Sequence, residues 1–341
     1  MEQLSLFKGE LMEELLRNYF LSLGYYVARG VKFKYENTDL TDIDLFLYNR
    51  SSSLTRHRIN VDIKNKKSPQ ALERIIWTNG LMRILNFDSC IVATTDCRPL
   101  VHSFAQAHNT TILDGAFLSK LKASPQINRL SEDELTSELA KLKSYKTFSN
   151  KDWRFIYESS KSKLLSELDF SGFNSELTYL VYFIEKSLVD EQKREFAIRM
   201  SYIIISHLLI IMDFILKDIA YLEQIDREKR LSDGLKFGNL GKEGVDRIIS
   251  MAIQIAGNKS ANAFIKSLDS IPVDILKDFF AKNENTRNLF SWAKDFENKG
   301  FARSLTYPID LDLPLKGVIS VLLDFISLER KRYFETLQIK P

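Results

Sequence analysis

Asn60-Val61-Asp62-Ile63-Lys64 reads as a strand in which a carboxylate and an ammonium share one face, because residues i and i+2 of a strand project to the same side. Ile63 then enters the opposite layer. Just upstream, Asp39–Tyr48 alternates in the same way. Ile43, Leu45 and Leu47 point to one side, and Asp42, Asp44, Phe46 and Tyr48 to the other. A turn-rich interval, Asn49-Arg50-Ser51-Ser52-Ser53, separates the two runs. If they form a hairpin, Asp44 approaches Asp62 from the neighbouring strand.

Outward from this pair the first third of the chain alternates helix and strand. Lys8–Leu23 carries Leu11, Met12, Leu15, Leu16, Tyr19, Phe20 and Leu23 at amphipathic-helix spacing, closed by Gly24. Tyr25–Lys34 reads as a strand. Pro69 stands near the start of a helix to about Leu85, Ser89–Thr95 is a buried strand and Pro99–His108 a helix. Thr110–Leu113 is a short strand, and Gly115–Leu121 opens another helix after a turn at Asp114-Gly115. The order αβββαβαβ predicts an α/β fold, a mixed sheet flanked by helices.

The pattern changes after Lys122. Ser131-Glu132-Asp133-Glu134 predicts a capping box opening a short helix to Lys143. From Asn150 onward the periodicity is almost wholly helical, with a long helix expected over Asp190–Glu223. The reading is therefore a first domain at 1–124, a linker with a short helix at 125–149, and an all-α helical domain at 150–341 for recognition or oligomerisation.

At 341 residues, 45% hydrophobic and 27% charged, the chain has the composition of a globular protein with two cores. Its two cysteines, Cys90 and Cys97, support neither a disulfide framework nor a zinc site, so a cytoplasmic setting is expected. The N-terminus does not read as a signal peptide. Met200–Leu216 is the most apolar stretch, but it contains His207 and Asp213. It reads as the central helix of a bundle rather than a membrane span. The net charge of +3 comes entirely from residues 1–125, which hold 16 Lys/Arg against 13 Asp/Glu. Arg50–Arg83 contains eight basic residues and only Asp62 and Glu73 against them. Arg56, Arg58, Lys66 and Lys67 are the candidate phosphate contacts of this zone.

Two carboxylates converging on one point repel unless a cation sits between them. A hard divalent ion such as Mg²⁺, or Mn²⁺, takes one or two carboxylates and keeps waters for substrate phosphates. Lys64 beside it would orient or deprotonate the attacking water, or neutralise charge on phosphoryl oxygens. His57, His102, His108 and His207 have no zinc spacing.

With these motifs in place, the chain resembles the PD-(D/E)XK nucleases, and within them the Mrr-like restriction endonucleases. The likeness rests on Gly9–Glu14 with Leu23-Gly24-Tyr25, the Asp44 strand, Asp62-Ile63-Lys64, the helix after Pro69, Val92-Ala93-Thr94-Thr95 and Ile112-Leu113-Asp114-Gly115. It covers just over a third of the chain and departs from the pattern in having no proline before Asp44. The resemblance implies a restriction-endonuclease-like fold, metal binding by Asp44 and Asp62, and a catalytic role for Lys64. It also implies a further acid from the first helix. Helical phase selects Glu13, at the edge of the apolar face, over Glu14, which points away, with Glu10 as fallback; Asp42 shares the face of Asp44. The implied activity is metal-dependent hydrolysis of DNA phosphodiesters in restriction or anti-phage defence, with a homodimer or partner protein joined through the helical domain. Two alternatives remain open: a catalytically silent nucleic-acid-binding or assembly module, and an RNA-cutting nuclease. The interval Arg199…His207 is too long for the R-x4-6-H motif of HEPN ribonucleases.

Overall fold

The computed structural model describes residues 8–36, 38–66, 69–122, 128–142, 152–256 and 265–338. The chain divides into two compact units, Met1–Ser166 with Phe301–Arg303, and Glu167–Gly300 with Ser304–Pro341.

The first unit is built on a five-stranded sheet of order β1-β2-β3-β4-β5. The strands are β1 (Tyr26–Tyr35), β2 (Thr38–Arg50), β3 (Arg56–Lys64), β4 (Ser89–Thr94) and β5 (Thr110–Leu113). The first three are antiparallel, whereas β3–β4 and β4–β5 are parallel. Helices α1 (Lys8–Ser22), α2 (Ala71–Ile84), α3 (Pro99–Ala107) and α4 (Gly115–Lys122) fall in the predicted order. The parallel steps need crossovers, and α2 and α3 supply them.

Alternation along the strands sorts the core into two layers. On one side Leu45, Leu47, Ile59, Val61, Ile63, Ile91 and Ala93 pack with Met12, Leu15, Leu16 and Phe20 of α1 and with Leu118 and Leu121 of α4. On the other, Val92 packs with Ala71 and Ile75 of α2 and with Val101 and Ala105 of α3. Phe46 and Tyr48, on the face shared with Asp44, are as fully buried as Leu45 and Leu47. Helices cover both faces of the sheet, so inward positions are apolar on either side.

Helices α5 (Glu132–Lys141) and α6 (Trp153–Ser166) complete this unit. The capping box at α5 is present, with Ser131 and Glu134 exchanging their side-chain and backbone bonds. The unit thus runs past the boundary expected at residue 124 and takes in the first helix assigned to the helical domain. The reason is that α6 packs on β1, an edge strand: Lys161 Nζ donates to the carbonyls of Arg29 at 2.8 Å and Gly30 at 3.2 Å.

The second unit is helical among its described residues. Its centre is α7 (Phe170–Val189) packed on α8 (Arg194–Leu216). Helix α8 is shorter than the sequence suggested, because a 3₁₀ turn at Glu191–Lys193 precedes it and successive turns follow Leu216. By length and composition the segment Glu191–Leu216 is apolar enough to cross a membrane, yet its apolar 18-residue stretch is 94% buried within the protein.

Candidate active site

The β2–β3 ladder sets Leu45 opposite Val61. One step further along the same register lie Asp44 and Asp62, facing the α2 side of the sheet. Here the pairing stops, and the Asp44 carboxylate replaces a backbone acceptor: the Ile63 N–H donates to Asp44 Oδ2 at 2.6 Å. On the other flank, β1 sets Arg29 opposite Leu45 and Val31 opposite Ile43, which brings Gly30 level with Asp44. Gly30 has φ +59° and open space where a Cβ would stand. A side chain there would be strained.

Asp44 is partly buried and Asp62 is 7% exposed. Burial, then the neighbouring Asp62, pushes the Asp44 carboxyl up to about 7; the Ile63 N–H and the Lys64 ammonium pull the other way. The Lys64 side chain is partly exposed and makes no hydrogen bond or ion pair with a described residue. The structure thus brings Asp44, Asp62 and Lys64 together, as the strand alternation predicts.

Arg74, in the first turn of α2, also enters the site. Its Nε donates to Asp62 Oδ2 at 2.9 Å and its Nη2 to Asp62 Oδ1. These bonds to Asp62 hold the guanidinium firmly protonated against partial burial. Sequence reading counted Arg74 in the basic zone without singling it out. The available signal was helical phase: Ala71, Ile75 and Thr78 face the core, and Arg74 flanks that stripe, within reach of the sheet.

Glu13 does not join the pair of aspartates. Its Oε2 accepts from Arg29 Nε at 2.8 Å, and burial raises its carboxyl above the usual range despite Arg29. Glu14 also differs from expectation: it is 6% exposed, accepts from Arg29 Nη1 at 2.9 Å and from the Glu132 N–H at 2.9 Å. The second face of α1 is covered by α5, so Glu14 is interior. A buried network follows, with Arg17 1% exposed, Glu132 bonded to Tyr157 and Lys161, and Asp133 bonded to Arg29. Burial opposes the charge on Arg29, but Glu14, Glu13 and Asp133 more than offset it. Arg17 and Lys161 likewise hold the Glu132 carboxyl below its usual range in spite of burial.

The proposed phosphate contacts fare differently. Arg56 is buried and donates to the carbonyls of Ser52, Ser53 and Thr55, closing the β2–β3 turn. Arg58 donates to the Asn86 carbonyl and lies over the Phe87 ring at 5.7 Å. Both stand at the end of β3 away from Asp62, so these two arginines are structural. Lys66 is exposed, and Lys67 lies outside the described residues. His102 Nε2 is 3.4 Å from Asp114 Oδ2, and Asp114 caps α4 through the Phe117 N–H.

Two neighbouring carboxylates fit a hard divalent ion, which takes one or two such ligands. Among the described residues, no three His, Cys, Asp or Glu side chains gather as a metal-holding group. Asp44 and Asp62 are the two residues that would hold such an ion. Comparison with known protein families, curated proteins and solved structures finds no match for this chain.

Proposed function

We propose that the first unit is a metal-dependent nuclease of restriction-endonuclease-like fold that hydrolyses DNA phosphodiester bonds. The carrying observation is the placement of Asp44 and Asp62 on one face of neighbouring strands with Lys64 beside them, where burial and then Asp62 force the Asp44 carboxyl up to about 7. Like charges so placed favour a bound cation. The mixed order of the sheet, three antiparallel strands followed by parallel ones, supports the same reading.

Asp44 and Asp62 would hold Mg²⁺ or Mn²⁺. When bound, the ion supplies an activated water and charge neutralisation at the phosphate. Asp44 Oδ2 is fixed by the Ile63 N–H, so its other oxygen is the one presented to the site. The free Lys64 ammonium stabilises charge on the phosphoryl oxygens or orients the attacking water. Two free thiols, Cys90 and Cys97, are compatible with a reducing cytoplasm. The helical unit is assigned to partner recognition or homodimerisation, and defence against foreign DNA is the proposed setting.

One observation favours a second reading, a silent nucleic-acid-binding module: Arg74 already neutralises Asp62. The test is incubation of the full chain with supercoiled plasmid, linear DNA and RNA, in Mg²⁺, Mn²⁺ or EDTA. Asp62→Ala and Lys64→Ala are run alongside. Metal-dependent cleavage lost in both variants supports the nuclease and names its substrate. DNA binding without cleavage in any metal supports the silent module.

A further inference from the structure

The Arg74–Asp62 pair is the most tightly held contact of the site and belongs to no step of the hydrolysis outlined above. Both Asp62 oxygens accept from Arg74, which is their only hydrogen-bond donor among the described residues. An ion that binds Asp62 must take at least one of these oxygens. The Asp62 side chain is 9% exposed and that of Arg74 27%. The guanidinium therefore spans from the buried carboxylate toward solvent, and its Nη1 makes no hydrogen bond with a described residue. The helix backbone beneath it is anchored by Ala71, Ile75 and Thr78, so only the side chain needs to move. A planar fork that grips a carboxylate fits a phosphate equally well.

We propose that Arg74 competes with the divalent cation for Asp62 and, once displaced, turns outward to contact a substrate phosphate. This rests on the metal-dependent reading above and adds an internal counterion for Asp62. It makes Arg74 a positioning residue whose partner depends on whether metal is bound.

The experiment is titration of the full chain with Mn²⁺, followed by electron paramagnetic resonance, for wild type, Arg74→Gln, Arg74→Lys and Asp62→Ala. Loss of a charge-assisted competitor tightens Mn²⁺ binding by about tenfold in Arg74→Gln, with Arg74→Lys in between and Asp62→Ala binding weakest. Duplex DNA binding by fluorescence anisotropy is the second readout: Arg74→Gln weakens it in Ca²⁺ and leaves it unchanged in EDTA. Equal or weaker Mn²⁺ binding in Arg74→Gln overturns the competition. Binding seen in Arg74→Gln but not in wild type supports it. No Mn²⁺ binding by any variant, including Arg74→Gln, removes both this inference and the metal-dependent reading. Should Arg74→Gln lose its folded circular dichroism, Arg74→Lys carries the same comparison.

Discussion

Replacing Asp44 by Asn separates charge from shape at the centre of the site. The Asp44 carboxyl sits at about 7 in the folded chain against an ordinary 3.8. Between those values the folded protein keeps a proton that the unfolded chain has lost. Folding therefore takes up a proton, and this group's contribution to stability falls as pH rises from about 4 to about 7. Above pH 7 the folded state carries the full cost, at most about 4 kcal/mol from roughly three pH units at 1.36 kcal/mol each. Partial solvent access lowers this, so about 2–4 kcal/mol is the expected range. Asn resembles the protonated acid and still accepts from the Ile63 N–H. Urea denaturation in EDTA should show Asp44→Asn within about 1 kcal/mol of wild type at pH 4 and more stable by about 2–4 kcal/mol at pH 8. Adding 10 mM Mg²⁺, taken as about 10 Kd for a site of this kind, should restore about 1.4 kcal/mol to wild type alone. A variant equal to or less stable than wild type at pH 8 in EDTA would refute the argument that burial and the Asp62 charge disfavour an ionised Asp44.

Two further outcomes test the surroundings. Arg29→Met leaves Glu14, Glu13 and Asp133 without their shared cation (the first of these is 6% exposed), and should cost about 3–5 kcal/mol in urea denaturation; a loss under about 1 kcal/mol contradicts a desolvated network. Glu13→Gln should leave Mn²⁺ affinity within about twofold, since Arg29 holds that side chain away; a weakening beyond about tenfold would make Glu13 a ligand after all.

The sheet was legible because strand period and burial agree: Leu45, Leu47, Ile59, Val61 and Ile63 fill one layer, and each alternation predicted its facing. Asp44, Asp62 and Lys64 followed from the same period. What stayed hidden depended on contacts distant in sequence. Glu14 lies opposite the apolar stripe of α1, where a solvated acid is the normal expectation. It is interior only because α5, more than a hundred residues later, covers that face and donates the Glu132 N–H. The extent of the first unit was hidden for the same reason. Nothing in the helical pattern of Trp153–Ser166 reveals that Lys161 reaches the carbonyls of β1. Arg56 looked like a phosphate contact because charge is visible in sequence and turn carbonyls are not.

The charges of the site argue together for a device that changes state. Asp44 and Asp62 face Lys64 and Arg74, so the empty site balances two negative groups with two positive ones when Asp44 is ionised. A bound divalent ion would add two positive charges, and displacement of Arg74 toward solvent would move the guanidinium's own charge to where a phosphate arrives. A phosphodiester brings one negative charge, and more accumulates on its oxygens as water attacks. With Asp44 ionised, the excess positive charge appears when metal is present. Glu13, had it joined the set, would have cancelled part of that excess. Its pairing with Arg29, which also holds Glu14 and Asp133, compensates this third carboxylate, although its charge still acts on Asp44. The buried network of α1, β1 and α5 therefore has an electrostatic consequence beyond packing: it pairs Glu13 with Arg29 and would leave two acids, Asp44 and Asp62, for an ion.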